Sequence, residues 1–340
     1  MKRILIIYTG GTIGMVESDD GETLVPFDLD HIMAQIPELG KLHLQLESYS
    51  LPKPIDSSDM RPEHWCTLTE IIASNYADMD GFLILHGSDT LAYTASALSF
   101  ALAGLRKPVI LTGSQLPIGM IRTDARENFI TAVELAGMHI NNEPIIQEVA
   151  IYFEYKLYRG NRTMKVSAEA FEAFESPNYP VLAEAGVHID LNKKNLWRSP
   201  FDLFTAKPKF DSNIGVLTMF PGIQKAQVDA ILNVHGQKGL ILQTFGSGNA
   251  TREPWFIESI ESAIERGLIV LNLSQCDKGA VEQGKYQTSA ALKRIGVIGG
   301  ADLTLEAGIT KLMFLLAHEL DPDILKEELT SNLRGELTES

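Results

Sequence analysis

Only two cysteines occur in 340 residues, Cys66 and Cys276, and they stand far apart in the chain. That spacing gives neither a disulfide framework nor a thiolate zinc site, so both read as buried free thiols. Basic residues are also scarce. The 29 lysines and arginines face 44 aspartates and glutamates, a formal net charge of −15, and no basic cluster stands out. Nucleic-acid binders draw their affinity largely from cationic contacts with phosphate, so that class of partner is set aside. No apolar run approaches the roughly 20 residues that span a bilayer, which sets aside a membrane partner. The amino-terminal MKRILIIYTGG passes from a short apolar stretch straight into a polar turn, with no cleavage site. The expected location is the cytoplasm. Sequons at Asn161, Asn249 and Asn272 are chance matches there.

Familiar catalytic signatures are missing too. There is no G-x-S-x-G elbow, no H-E-x-x-H and no Cys/His cluster. Gly10, Gly11 and Gly14 fit neither G-x-G-x-x-G nor the phosphate loop. No cofactor and no metal are expected.

What is present is a globular composition, 45% apolar and 21% charged. Strand-like runs recur without alternation, each ending in small polar residues: RILIIYTGG, DGFLILHGSDT, KPVILTGSQ, VAIYF, IGVLTMFPG, GLILQTFGSGN and GLIVLNLSQC. Such runs suit strands buried on both faces, as in parallel sheets. Helical spacing lies between them. Trp65, Leu68, Ile71 and Ile72 share one face, and a second helix is expected from a Thr90 cap to a stop at Gly104. The pattern predicts an α/β fold of two doubly wound domains. The larger spans residues 1–190 and the smaller 213–340, with the polar, period-free stretch 191–212 as linker. The late helix LEAGITKLMFLLAHEL is apolar on more than one side, which calls for burial by its own core or by another subunit.

In open α/β sheets ligands bind beyond the carboxyl ends of the strands. Four polar turns are expected there: TGGT with Thr12, DSSD at 56–59, HGSDT with Ser88 and Asp89, and TGSQ with Ser114. Each has an ordinary reading as a cap or turn. His86 reads as a satisfied structural histidine, and Lys165 alone reads as a solvated lysine. Together, hydroxyl, carboxylate and amine can activate a hydroxyl nucleophile without a metal.

At these residues the chain resembles the bacterial L-asparaginases, in the cytoplasmic type I branch. YTGGTIGM and GFLILHGSDTLAYTASALSF are similar to the two signatures of that family, and DSSDM, PVILTGSQ, LYRGNRT, GVIGGADLT and NLRGELT also match. The resemblance runs from about residue 4 to 338. It implies hydrolysis of the side-chain amide of L-asparagine, with Thr12 as nucleophile and Gly11 beside it as a substrate-binding residue. Ser88, Asp89 and Lys165 would polarise a hydroxyl or water. Asp56, Ser57 and Ser58 would hold the substrate's α-ammonium and α-carboxylate groups, with Ser114 close to the amide. It also implies a homotetramer of paired dimers.

The chain departs from the pattern at several positions. Ser88 stands where the family usually has threonine, so the methyl that restricts χ1 is gone and a less rigid site is expected. Leu24 stands where many relatives carry a tyrosine near the nucleophile, a role Tyr286 is placed to take over. At a regulatory asparagine site of some relatives, Gln243 and Met164 replace an arginine and a threonine while Cys276 matches. Without the bidentate clamp, activation by asparagine is doubtful. Alternatives that stay open at this point are an amidase preferring glutamine or D-asparagine and a non-catalytic amino-acid sensor.

Overall fold

The computed structural model describes residues 1–14, 16–17, 24–25, 36–284, 287–318 and 321–339. The chain divides into two compact units, Met1–Pro208 and Lys209–Ser340.

The first unit is built on an eight-stranded sheet. Five strands are parallel: β1 (Lys2–Tyr8), β2 (Leu44–Ser50), β3 (Gly81–Leu85), β4 (Val109–Thr112) and β5 (Val149–Phe153). Three more, β6 (Lys156–Arg159), β7 (Ala183–Ala185) and β8 (Ile189–Leu191), extend it antiparallel. Glu154 and Tyr155, at φ 43° and 66°, make the left-handed two-residue turn from β5 to β6. The spatial order is β8-β7-β6-β5-β4-β3-β1-β2. From β1 the chain goes outward to β2 and then returns to β3 on the other side. The winding direction therefore reverses between β1 and β3, the position beyond which open α/β sheets bind their ligands.

Among the described residues, α1 (Pro62–Asn75), α2 (Leu91–Ala101) and α3 (Ala125–Gly137) cover this sheet. Strand alternation sends Ile4, Ile6 and Tyr8 to the face where α3 packs through Phe129, Ala132 and Val133. Leu5 and Ile7 point the other way, onto Leu68, Ile71 and Ile72 of α1 and Leu91, Ala95 and Leu98 of α2. Burying such side chains contributes about 1.5–3 kcal/mol each.

Residues expected to form a linker are held by the first unit up to its boundary at Pro208. The main-chain N–H of Trp197 donates to Glu148 (2.6 Å), and Arg159 joins the same carboxylate at 2.7 Å while also donating to the Asn195 carbonyl. Phe204 stacks on Tyr76 with ring centroids 3.6 Å apart, and Thr205–Ala206 pairs with Leu102–Ala103. The stretch lacks a period because it is anchored by single side chains rather than by a repeating face.

The second unit has four parallel strands, β9 (Ile214–Thr218), β10 (Gly239–Thr244), β11 (Ile269–Ser274) and β12 (Ile298–Gly299), in unreversed order. Its helices are α4 (Lys225–Leu232), α5 (Pro254–Glu265), α6 (Gln287–Arg294), α7 (Leu305–Leu316) and α8 (Pro322–Thr330). Val228, Leu232, Phe256, Ile260 and Leu292 from α4, α5 and α6 pack on Leu240, Leu242 and Val270. On α7, Leu312 and Leu316 lie so close to Gly239 that a Cβ there would stand 2.8 and 3.0 Å from them. Gly308 meets Leu273 in the same way. The core of its own unit thus accounts for the many-sided apolarity of α7. The cysteines correct one expectation: Cys276 is exposed and Cys66 half-buried, because the first sits on a polar turn after β11 and the second on the outer part of α1.

Candidate active site

The four polar turns leave the carboxyl ends of β1, β2, β3 and β4, which are neighbours in the sheet. After β1 the chain turns at Gly10 and Gly11 (φ 128° and 87°) into one turn of 3-10 helix, Thr12–Gly14. Both glycines are required by closeness as well as conformation. A Cβ on Gly10 would lie 2.2 Å from the Ile55 carbonyl oxygen, and one on Gly11 only 2.5 Å from the Gly87 nitrogen. Gly87 in turn leaves no room for a Cβ against Ser57, 2.5 Å from its Oγ. The turn of Thr12 therefore meets the turn of Ser88 and the loop before Ser57 backbone to backbone, and the Ser57 side chain packs on Gly87.

Hydrogen bonds fix this arrangement. Thr9 donates its N–H and its hydroxyl to the Leu85 carbonyl, and the Ile55 N–H donates to the Thr9 carbonyl at 2.8 Å. Thr90, expected as a helix cap, sends its hydroxyl across to the Ser57 carbonyl at 2.6 Å and ties the third turn to the second. Asp56 opens the one-turn helix Ser57–Asp59 and accepts from both the N–H and the hydroxyl of Ser58. Those two bonds, main chain first, hold its carboxyl below the usual range and keep it anionic.

Lys165 reaches the site from the far end of the LYRGNRT motif. Arg159, Asn161, Arg162 and Thr163 are all buried, and Thr163 donates to the Arg159 carbonyl at 2.7 Å. Lys165 then lies on the two-residue strand Met164–Lys165, paired with Phe174–Glu175. Its ammonium donates to Asp89 Oδ1 at 2.7 Å and to Ser88 Oγ at 2.9 Å, so it is no solvated lysine. Ser114 is buried on the turn after β4, with its hydroxyl given to the Leu116 carbonyl at 2.6 Å.

His86 is part of the frame. Burial pushes its imidazole down to about 4, opposed by its hydrogen bond to Gly87. The Gly87 carbonyl can only accept, so Nδ1 carries the proton, at 2.7 Å. Nε2 then accepts from Thr94, whose oxygen accepts from the Trp65 indole.

Asp124 and Asn128 had no signal in the sequence, and Gln115 had one only as the last residue of the TGSQ turn, with no role assigned to it. Asp124 accepts the N–H groups of Gln115 and Leu116 at 2.8 and 3.1 Å, and Asn128 donates to the Gly113 carbonyl at 3.0 Å. At the start of α3 such residues look like ordinary caps, and only the returning turn reveals their use. Tyr286 lies outside the described residues. The remaining expected positions, Gly11, Thr12, Asp56, Ser57, Ser58, Ser88, Asp89, Ser114 and Lys165, fall on turns at this one edge of the first unit or on the strand that reaches it. Among the described residues no group of three or more histidine, cysteine, aspartate or glutamate side chains is placed to hold a metal ion.

Comparison with known proteins agrees with this anatomy. Residues 3–197 match the family model described as Asparaginase, N-terminal, and residues 213–329 match the Glutaminase/Asparaginase C-terminal domain. The chain is 45% identical to L-asparaginase 1 of Escherichia coli (strain K12), spanning 99% of this chain and 98% of that protein. The crystal structure of L-asparaginase I from Vibrio cholerae superposes with a TM-score of 0.90 at 42% identity, covering 99% of both chains. The thermostable L-asparaginase of Thermococcus kodakarensis gives a TM-score of 0.89 at 29% identity, covering 99% of this chain and all of that one, 100%.

Proposed function

The chain belongs to the asparaginase family, and we propose on that premise that it hydrolyses the side-chain amide of L-asparagine through an acyl-enzyme on Thr12. The observation that carries the reading is the convergence of the four turns, with Gly11 pressed on Gly87 and Lys165 bonded to Ser88 and Asp89. Thr12 Oγ attacks the amide carbon as its proton passes into the polar network. The C–N bond then breaks, the nitrogen takes up a proton and leaves as ammonia, and a β-aspartyl ester remains. Water attacks the ester carbon, frees aspartate and returns the proton to Thr12.

An alkyl hydroxyl needs such an activating network, and positioned proton transfer contributes about 10²–10⁴ in rate. Main-chain N–H groups of the glycine turns face the developing oxyanion, where one donor contributes roughly 10²–10³. Anionic Asp56 receives the α-ammonium group, Ser57 and Ser58 the α-carboxylate, and Ser114 lies by the amide. By the family's pattern Tyr286 takes the role of the loop tyrosine that Leu24 replaces. No cofactor or metal enters the reaction, and the working form is a cytoplasmic homotetramer. Gln243 makes its side-chain bond to Thr218, 2.7 Å away, and offers no guanidinium to a regulatory ligand.

Initial rates of ammonia release against concentration test this reading with L-asparagine, L-glutamine and D-asparagine. The expected outcome is a hyperbola for L-asparagine, with kcat/KM about 10–200 times that for glutamine, the range one methylene allows. A higher kcat/KM for another amide would reassign the substrate. Folded protein that binds asparagine and releases no ammonia would make the chain a sensor.

A further inference from the structure

Gln115 stands between the turn after β4 and the segment that follows Lys165. Its Nε2 donates to the Ala170 carbonyl at 2.9 Å. A carbonyl can only accept, so this bond fixes which way the amide points and turns Oε1 toward Ser88. Ser88 Oγ donates to that oxygen at 3.3 Å, while accepting from the Lys165 ammonium at 2.9 Å. The 3.3 Å contact is long for a hydroxyl donor. Both ends of the bridge are held. The Gln115 N–H is fixed by Asp124 at 2.8 Å, and the Ala170 N–H by Ser167 Oγ at 2.9 Å.

A serine hydroxyl has three staggered χ1 positions and no β-methyl to choose among them. We propose that Gln115 is a positioning residue that selects the Ser88 rotamer, so that Ser88 Oγ faces Lys165 and its single proton is directed away from the ammonium. The side chain does no bond-making itself. It acts through Ser88, in place of the restriction a branched side chain would impose. This rests on the asparaginase reading of the site.

A double-mutant cycle of Gln115→Met and Ser88→Thr tests it. A net hydrogen bond of about 0.5–1.5 kcal/mol corresponds to a two- to tenfold effect, so Gln115→Met is expected to lower kcat by about that factor, with KM little changed. Adding Ser88→Thr should restore most of the loss, because the methyl restricts χ1 once the amide is gone. Equal losses in the serine and threonine backgrounds, or a loss confined to KM, would overturn the proposal. Crystal structures of the same four proteins separate this idea from the reaction itself. One Ser88 rotamer in Gln115→Met, identical to that of the parent, would refute the positioning role whatever substrate the enzyme takes.

Discussion

His86 stands one residue before the Gly87–Ser88–Asp89 turn, yet its ring serves the frame rather than the reaction. Both nitrogens are engaged, by Gly87 and Thr94, and the ring is fully buried. Its pKa falls from 6.5 to about 4 on folding, chiefly through burial. Between those values the unfolded chain binds a proton that the folded chain does not. Stability from this group is therefore complete above about pH 6.5 and is lost as pH falls toward 4, by about 3 kcal/mol. His86→Gln removes the titration. The gap in urea-unfolding stability between parent and variant should narrow from pH 6.5 to 4, and a gap independent of pH would contradict the assignment. At this scale the sequence named most of the polar site, because hydroxyls and carboxylates after apolar runs mark strand ends. It hid Asp124 and Asn128, whose use depends on a turn folding back over a helix start, and it left Gln115, the last residue of TGSQ, without a role.

Among the elements, α7 shows how much a local pattern conceals. Its apolar faces are explained by the sheet of its own unit, but Lys311 in its midst is fully buried. The ammonium has three partners, Glu336 at 2.6 Å and the carbonyls of Leu329 and Ser331 at 3.1 and 2.6 Å. Glu336 also accepts the N–H groups of Leu333 and Arg334. The NLRGELT segment is thus clamped onto α7 by one buried ion pair, and Thr338 is tied to Asp302 beyond it. Lys311→Met leaves a buried carboxylate without its cation, so a loss of about 3–5 kcal/mol is expected in urea unfolding. An unchanged midpoint would show that the segment is held by other means. The helix was legible from its apolar residues. The clamp was not, because its two halves lie far apart in the sequence and each alone looks like surface charge.

For the whole molecule, the decisive feature is the strand order of the first sheet. Apolar runs without alternation indicated parallel strands, and the two-domain α/β class followed from their number and spacing. No local pattern records which strand lies beside which, and so the reversal between β1 and β3 was not legible. That reversal brings together two turns separated by more than seventy residues, in contact at Gly11 and Gly87. By this reading the convergence presents Thr12 as the nucleophile. Rapid-quench mass spectrometry during turnover of L-asparagine tests it most directly, with ammonia followed in the same samples and Thr12→Ala as the comparison. The parent protein should carry one aspartyl group on the peptide containing Thr12, and Thr12→Ala should carry none and release ammonia at least about 10³-fold more slowly. An adduct on another residue, or ammonia release that survives the loss of Thr12, would contradict it.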